Sequence, residues 1–423
     1  ADVTAPKPAS GFVKRSDLII FPALSYRKHG ELEQNQKLIS EKLGTLPFNR
    51  VIKGGRIGIA VSGISYLYLM EVIKEFGLDL TVFKVGTPYP IPAEPAEEFL
   101  SLVDRVMVIE ELDPVIEEQL LLLSAGKKEI LGKMTAHLPC NGEYGFELIR
   151  DTVLKFAGVK GEDPLMAEIP VLPVRPPVLC AGCPHRASFY AAKTAAKNFE
   201  KTVYCGDIGC YTLGNAAPLN TVDTCLCMGA GITIAQGIKL AEKETKCIAF
   251  IGDSTFFHTG IPGVINAVYQ NTDITIAVLD NHTTAMTGGQ PHPGTGRTAM
   301  GMPAKPLDIE KILRACGVEH ISTVDPFKYD DTVDAFKNAL EHTGPSAVIA
   351  KAPCIALIRL PKTVRRVNGA CIGCLKCIKQ LGCPAMSAGE DGKVSINEPI
   401  CTDCSLCVNV CPVGAIKRVD RDA

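Results

Sequence analysis

Two separate parts of the chain alternate short aliphatic and β-branched runs with helical stretches. In the first, residues 57–61 read as a strand, 66–76 as an amphipathic helix and 80–84 as a second strand; a strand at 105–109 then precedes a helix over 114–123. In the second, strands at 246–251 and 274–279 flank a helix at 262–269, and a strand at 347–351 follows. This alternation predicts two open α/β domains, each with a parallel sheet. The opening stretch, 1–46, is charged and proline-containing, with weak helical periodicity after Gly30, and reads as a connecting arm. Pro164, Pro170, Pro173, Pro176 and Pro177 mark a linker. The expected organisation is an arm (1–46), an α/β domain (47–160), a linker (161–177), a second α/β domain (178–360) and a small cysteine-rich α+β module (361–423).

That last module has the most specific pattern: Cys371-x2-Cys374-x2-Cys377-x5-Cys383-Pro384, repeated thirty residues later as Cys401-x2-Cys404-x2-Cys407-x3-Cys411-Pro412. It is the spacing of a two-cluster bacterial ferredoxin, in which the fourth cysteine of each run ligates the other cluster. Cys371, Cys374, Cys377 and Cys411 are expected to hold one [4Fe–4S] cluster, and Cys401, Cys404, Cys407 and Cys383 the second. A zinc site needs only four ligands and favours paired CxxC spacing. Disulfides would require an oxidising compartment, and no secretory segment is present. Two extra residues before Cys383 set the first run apart from the usual pattern.

Composition narrows the function classes. With 423 residues, 46% apolar and 21% charged, the chain can bury several cores, and a net charge of −2 carries no nucleic-acid footprint. The apolar runs are strand-length, too short for a membrane span. Eighteen cysteines without an export signal predict a reducing cytoplasm, in an anaerobic or oxygen-poor cell.

In the second α/β block one strand runs into Gly252-Asp253-Ser254 and the next into Leu279-Asp280-Asn281. Asp253 and Asn281 are thus expected at the carboxyl ends of neighbouring parallel strands, where open sheets bind ligands. Their oxygens, with a backbone carbonyl two residues on, are hard donors suited to Mg²⁺ carrying a diphosphate. Alone, such a pair is a weak signal. The block also contains Cys180-Ala181-Gly182-Cys183-Pro184-His185-Arg186, Gly206-Asp207-Ile208-Gly209-Cys210 and the run Thr284-Ala285-Met286-Thr287-Gly288-Gly289-Gln290-Pro291-His292-Pro293-Gly294. The first block contains Gly86-Thr87-Pro88-Tyr89-Pro90. With these motifs, from Gly11 to about Val419, the chain resembles the large subunit of indolepyruvate ferredoxin oxidoreductases, in the 2-oxoacid:ferredoxin oxidoreductase superfamily.

The resemblance implies a transketolase-C-terminal-like domain first and a thiamine-diphosphate-binding domain second. It makes Gly252, Asp253, Ser254, Asn281 and Thr283 cofactor-binding, with Asp253, Asn281 and the Thr283 carbonyl on Mg²⁺. Ser254 stands where many thiamine enzymes have glycine. A third, proximal [4Fe–4S] cluster is implied on Cys180, Cys183, Cys210 and Cys354; the alternative is that these four are buried, inert thiols. His185, His258 and His292 are candidate catalytic groups, and His282 a candidate for the pocket wall, with structural or phosphate-contacting roles equally open. Cys140, Cys205, Cys225, Cys227, Cys247 and Cys316 read as core or loop residues.

The implied reaction is CoA-dependent oxidative decarboxylation of a 2-oxoacid, an aryl pyruvate such as indolepyruvate, with electrons passing through the clusters to ferredoxin. Family members carry a pyrimidine-binding domain ahead of the segment seen here, so a longer polypeptide or a companion chain is expected to supply it, together with a small second subunit. The rival reading is an electron-transfer subunit whose thiamine-like domain binds no cofactor; intact Asp253 and Asn281 speak against it. Non-oxidative decarboxylation would leave the eight C-terminal cysteines without a purpose.

Overall fold

Apolar strands dictate the two α/β sheets in the computed structural model, which describes residues 11–160 and 172–421. The chain divides into two units between residues 171 and 172. Within the expected linker, Pro164 and Pro170 lie outside the described residues, and 172–177 form neither helix nor strand.

The first unit runs α1 (Pro22–Gly44), β1 (Arg50–Ile52), β2 (Ile57–Ser62), α2 (Ser65–Phe76), β3 (Thr81–Val85), α3 (Ala93–Leu102), β4 (Arg105–Ile109), α4 (Val115–Ser124), β5 (Glu129–Leu131) and α5 (Phe146–Ala157). Its sheet has the order β1-β3-β2-β4-β5, parallel except for the antiparallel edge strand β1. Alternate residues of β2 feed opposite faces: Ile59 and Val61 pack with Leu69 and Val72 of α2, Ala60 with Phe83 and Phe99. A strand covered on both sides is apolar throughout, which is why this one is legible from sequence.

The stretch expected as a connecting arm contains a 23-residue helix, which begins ahead of the periodicity noted after Gly30. None of its residues is fully buried, so it leaves only a weak hydrophobic periodicity. Ser40 ties it to the loop before α3, its hydroxyl donating to the Ile91 carbonyl at 2.5 Å and accepting from the Ala93 N–H at 3.1 Å.

The second unit begins with α6 (Pro184–Ala196), β6 (Thr202–Cys205), α7 (Ala230–Ala241), β7 (Lys246–Gly252), α8 (Asp253–Thr255), α9 (Ile261–Tyr269) and β8 (Thr275–Asp280). It continues with α10 (Ile309–Ala315), β9 (His320–Val324), α11 (Tyr329–Glu341) and β10 (Ser346–Lys351). The sheet is wholly parallel, in the order β6-β7-β8-β10-β9. Phe189 of α6 meets Phe250 of β7 edge-on at 4.6 Å, an aromatic contact of about 0.5–1.5 kcal/mol beyond its buried area.

The cysteine module follows: β11 (Thr363–Val367), α12 (Lys376–Leu381), β12 (Met386–Ala388), β13 (Val394–Ile396), α13 (Leu406–Val410) and β14 (Ile416–Asp420). β11 pairs antiparallel with β14, and β12 with β13. The module sits against α6, whose Ala187 and Tyr190 join Cys377, Leu381, Leu406 and Val410 in one core. Among the described residues, no helix is long and apolar enough to cross a membrane.

Candidate functional site

The carboxyl edge of the second sheet gathers the predicted residues. β7 ends at Gly252, and Asp253 opens a helical run that widens to a π turn over Phe256–Gly260 before α9. β8 ends at Asp280, so Asn281 leaves its tip. β10 runs parallel beside β8 and delivers Cys354, whose N–H donates to the Asn281 carbonyl at 2.9 Å. Gly206 to Cys210 leave the end of β6, and Cys180 to Cys183 lead into α6.

A cavity of ≈ 520 Å³ lies among these tips, lined in part by His185, Cys210, Tyr211, Asp253, Asn281 and Thr283. Its floor admits no side chain at two glycines: a Cβ on Gly209 or Gly252 would meet the Tyr211 ring at 2.4 Å. Asp253 is buried, with Oδ1 accepting from the Ser254 N–H at 2.7 Å and Oδ2 from the N–H groups of Asn281 at 3.1 Å and His282 at 2.8 Å. The Asn281 side chain donates to His185 Nε2 at 3.1 Å and accepts from the Thr283 N–H at 3.1 Å. Burial pulls His185 down to about 4, so it stays neutral and accepts here.

Two observations test whether a Mg²⁺–diphosphate group suits these residues. His292 Nε2 approaches Asp253 Oδ2 at 3.0 Å yet makes no hydrogen bond, which leaves a buried polar atom orphaned at the site. Asp253, Asn281 and the Thr283 carbonyl are hard oxygen donors with lone pairs to spare, although that carbonyl already accepts from the Ala285 N–H at 3.0 Å. The donor set fits.

The candidate histidines separate. His185 lines the cavity and His292 touches Asp253. His282, with φ at 64°, sits beside Asp280 at 3.4 Å and, together with His292, lines a different hollow. His258 is exposed on the π turn and does not line the cavity: the helix starting at Asp253 carries its side chain away from the strand tips.

Sequence reasoning missed Tyr211, whose hydroxyl donates to the Ile208 carbonyl at 2.8 Å and lies 3.1 Å from the Thr255 hydroxyl, and whose ring meets His185 edge-on at 5.8 Å. It also missed Asp207, which anchors the start of α7 by accepting from the Gly229 N–H at 2.7 Å and which burial pushes up to about 6. Asp207 lies within the Gly206–Cys210 motif and Tyr211 directly follows it, but the motif assigns neither a role, because the contacts that matter, to Gly229 and to Thr255 and His185, come from distant parts of the chain.

Cys210 stands near Cys354 and Cys180, and these neighbouring thiols add to the upward push of burial on it. Cys183 is buried, close to Cys180, and burial pushes it up to about 12. Of the cysteines read as core or loop, Cys205 and Cys247 are buried, Cys225 and Cys316 half-buried, and Cys140 and Cys227 exposed.

In the C-terminal module Cys371, Cys374, Cys377 and Cys411 line one cavity of ≈ 330 Å³. Cys383, Cys401, Cys404 and Cys407 line another of ≈ 460 Å³. The crossed grouping follows from the fold, since each short helix hands its run's last cysteine to the opposite loop. Among the described residues no three His, Cys, Asp or Glu side chains converge as tightly as a single metal ion requires. The two extra residues of the first run lengthen α12 to six residues, against five in α13, and Gly382 at φ 59° turns the chain back so that Cys383 still reaches its cavity.

Comparisons with known proteins bear on the family of the chain. Residues 207–350 match the family model described as "Thiamine pyrophosphate enzyme, C-terminal TPP binding domain", and residues 363–413 the "4Fe-4S dicluster domain". The indolepyruvate oxidoreductase subunit IorA of Methanothermobacter thermautotrophicus is 39% identical over 97% of this chain and 68% of its own length. The 2-oxoglutarate synthase subunit KorB of Archaeoglobus fulgidus is 32% identical over 42% of this chain and 70% of its own. A solved 2-oxoglutarate:ferredoxin oxidoreductase from Magnetococcus marinus is 20% identical over 46% of this chain and 67% of its own, with a TM-score of 0.38, too loose to argue from. The chain spans about two thirds of the length of the IorA relatives.

Proposed function

The chain belongs to the family of the indolepyruvate oxidoreductase subunit IorA, and from that premise we propose that it takes part in CoA-dependent oxidative decarboxylation of an aryl pyruvate, indolepyruvate being the first candidate, with ferredoxin as electron acceptor. The observation that carries this reading is the single cavity shared by Asp253, Asn281, Thr283 and His185 at the tips of β7 and β8. When bound there, thiamine diphosphate supplies the carbanion-stabilising centre that decarboxylation needs. Asp253 and Asn281 would hold its diphosphate through Mg²⁺, Gly209 and Gly252 let the Tyr211 ring pack against the floor of the cavity, and neutral His185 fixes the Asn281 amide.

Cys180, Cys183, Cys210 and Cys354 form, in this proposal, the ligand set of a proximal [4Fe–4S] cluster at the same sheet edge. The nearness of Cys210 to Cys354 and Cys180 supports it. Removing the C-terminal module would strip the cover from buried Arg186, so a point variant gives the cleaner test: Cys210→Ser in the full chain should lower the iron content from about twelve to about eight atoms. A wild-type value near eight would make the four thiols packing residues. A companion chain or segment carrying the pyrimidine-binding domain and a small second subunit complete the enzyme in this reading. Turnover of indolepyruvate, phenylpyruvate, phenylglyoxylate and pyruvate by the assembled complex, with a dye acceptor, tests the substrate. A preference for pyruvate would overturn the aryl assignment.

A further inference from the structure

The two cavities of the C-terminal module share a ligand set and differ in everything else that lines them. Beyond its four cysteines the first is wholly apolar, with Val367, Leu375, Val394 and Ile416 in its wall. The second is lined by two arginines, Arg186 from α6 and Arg365 from β11. Arg365 is shared with a carboxylate: its Nε lies 2.5 Å from Asp403 Oδ1, while Arg418 holds Oδ2 at 2.8 Å.

Arg186 has no such partner. It is 4% exposed. Its Nη1 donates to the carbonyls of Leu381 at 2.5 Å and Gly382 at 3.0 Å, its Nη2 donates to the Leu179 carbonyl, and its Nε has no acceptor. Among the described residues no carboxylate pairs with it; the ionisable groups that bear on it are the thiols of Cys383, Cys183, Cys404 and Cys180. A guanidinium stays protonated in a protein, and a buried cation without counter-charge is strongly unfavourable. A thiolate-ligated cube supplies that counter-charge, and its negative charge deepens by one with each electron it accepts. Net charge, hydrogen bonding and exposure set the potential of such a centre, and a fixed cation in a low-dielectric wall favours the reduced form.

We propose that Arg186 is a positioning residue for electron transfer: it raises the reduction potential of the cluster on Cys383, Cys401, Cys404 and Cys407 above that of the cluster on Cys371, Cys374, Cys377 and Cys411. An electron entering the module then rests first on the cluster beside α6. The packing favours the same entry point. A Cβ on Gly182 would come within 1.7 Å of the Thr402 hydroxyl, so only glycine lets the Cys180–Cys183 turn lie directly on the loop between Cys401 and Cys404.

The inference rests on both cavities holding [4Fe–4S] clusters, and the experiment separates the two claims. The full chain, assembled with its companion subunits, is titrated with dithionite against a redox electrode and followed by EPR; Cys374→Ser marks the signal of the apolar cavity. The centre on Cys383, Cys401, Cys404 and Cys407 should be reduced before that of the apolar cavity. Arg186→Gln should lower its midpoint by at least the ~59 mV that equals a tenfold change for one electron, leave the centre on Cys371, Cys374, Cys377 and Cys411 unmoved, and be largely reversed in Arg186→Lys. Should the Gln variant fail to fold, the wild-type order and the Lys variant still decide. Reduction of the apolar-cavity centre first, or a folded Arg186→Gln protein with equal shifts or none, would overturn the assignment of Arg186. Iron below about eight atoms per chain would instead fault the cluster reading itself.

Discussion

Asp253 does two jobs with one carboxylate, and substitutions can separate them. Its oxygens hold the N–H groups of Ser254, Asn281 and His282, which shapes the turn after β8, and its charge is left over for a cation. Asp253→Asn keeps an acceptor and loses the charge. It should fold nearly as well as wild type and bind Mg²⁺–thiamine diphosphate at least tenfold more weakly by calorimetry; undiminished affinity would count against this ligand. Asp253→Ala should show the same binding loss and, by stranding buried N–H groups, a further ~1–3 kcal/mol of instability in urea. Gly182 yields another residue-level expectation. Gly182→Ala meets both a positive φ of 69° and the Thr402 side chain, and should destabilise the contact between α6 and the cysteine module by about 1–3 kcal/mol. Adding Thr402→Gly should restore part of it, and a double-mutant cycle on thermal unfolding reads the coupling. The eight C-terminal cysteines were legible from spacing alone, whereas Asp253 and Asn281 gained their reading only from the resemblance of the motifs around them. Tyr211, Asp207 and Arg186 were given no role, because the contacts that define them, with Thr255 and His185, with Gly229, and with Leu381 and Gly382, are made only on folding.

At the scale of elements, the strands buried on both faces could be read and the short or exposed pieces could not. β4 spans Arg105–Ile109 as expected, and β2, β3, β7, β8 and β10 begin and end within a residue of their expected ranges. Their neighbours β1, β5 and β9 are edge or near-edge strands of three to five residues with partly exposed faces, too short for a periodic signal. α4 shows how a buried polar group starts a helix without a local cap. Its flanking residue Pro114 offers no side-chain acceptor, and Glu110, at the end of β4, accepts from the N–H groups of Ile116 at 2.8 Å and Glu117 at 2.9 Å. Burial pushes the Glu110 carboxyl up, against those two donors. Glu110→Ala should cost about 1–2 kcal/mol of stability, as loss of a helix cap does, and Glu110→Gln less, because one acceptor oxygen remains. Equal stability of all three in urea would show that water caps α4 instead.

For the whole molecule, the cysteine module is coupled to the second α/β domain through α6, which presents Ala187 and Tyr190 to the module and Phe189 and Ala191 to the sheet. The Tyr190 hydroxyl donates to the Gln380 side chain at 2.7 Å and Arg186 donates to the end of α12. Crossed ligation gives a prediction at this scale. Cys383→Ser lies in the first run but should lose the cluster of the second, leaving the EPR signal of the Cys371, Cys374, Cys377 and Cys411 centre in place; loss of that centre would mean that each run serves its own cluster.

From its order of residues alone, this chain determines two α/β layers, the partition of eight cysteines into two sets of four, and the Asp253–Asn281 pair at strand tips. Those features depend on period, spacing and residue type, which survive without coordinates. Only the tertiary structure decides that His258 faces away from the cavity while His185 enters it, that the region expected as an arm is helical over 23 residues, and that Arg186 lies buried against one cluster cavity and not the other. Each of these depends on where a helix start points its side chains or on which surfaces two packed elements share. A single sequence carries no period or spacing that encodes such relations.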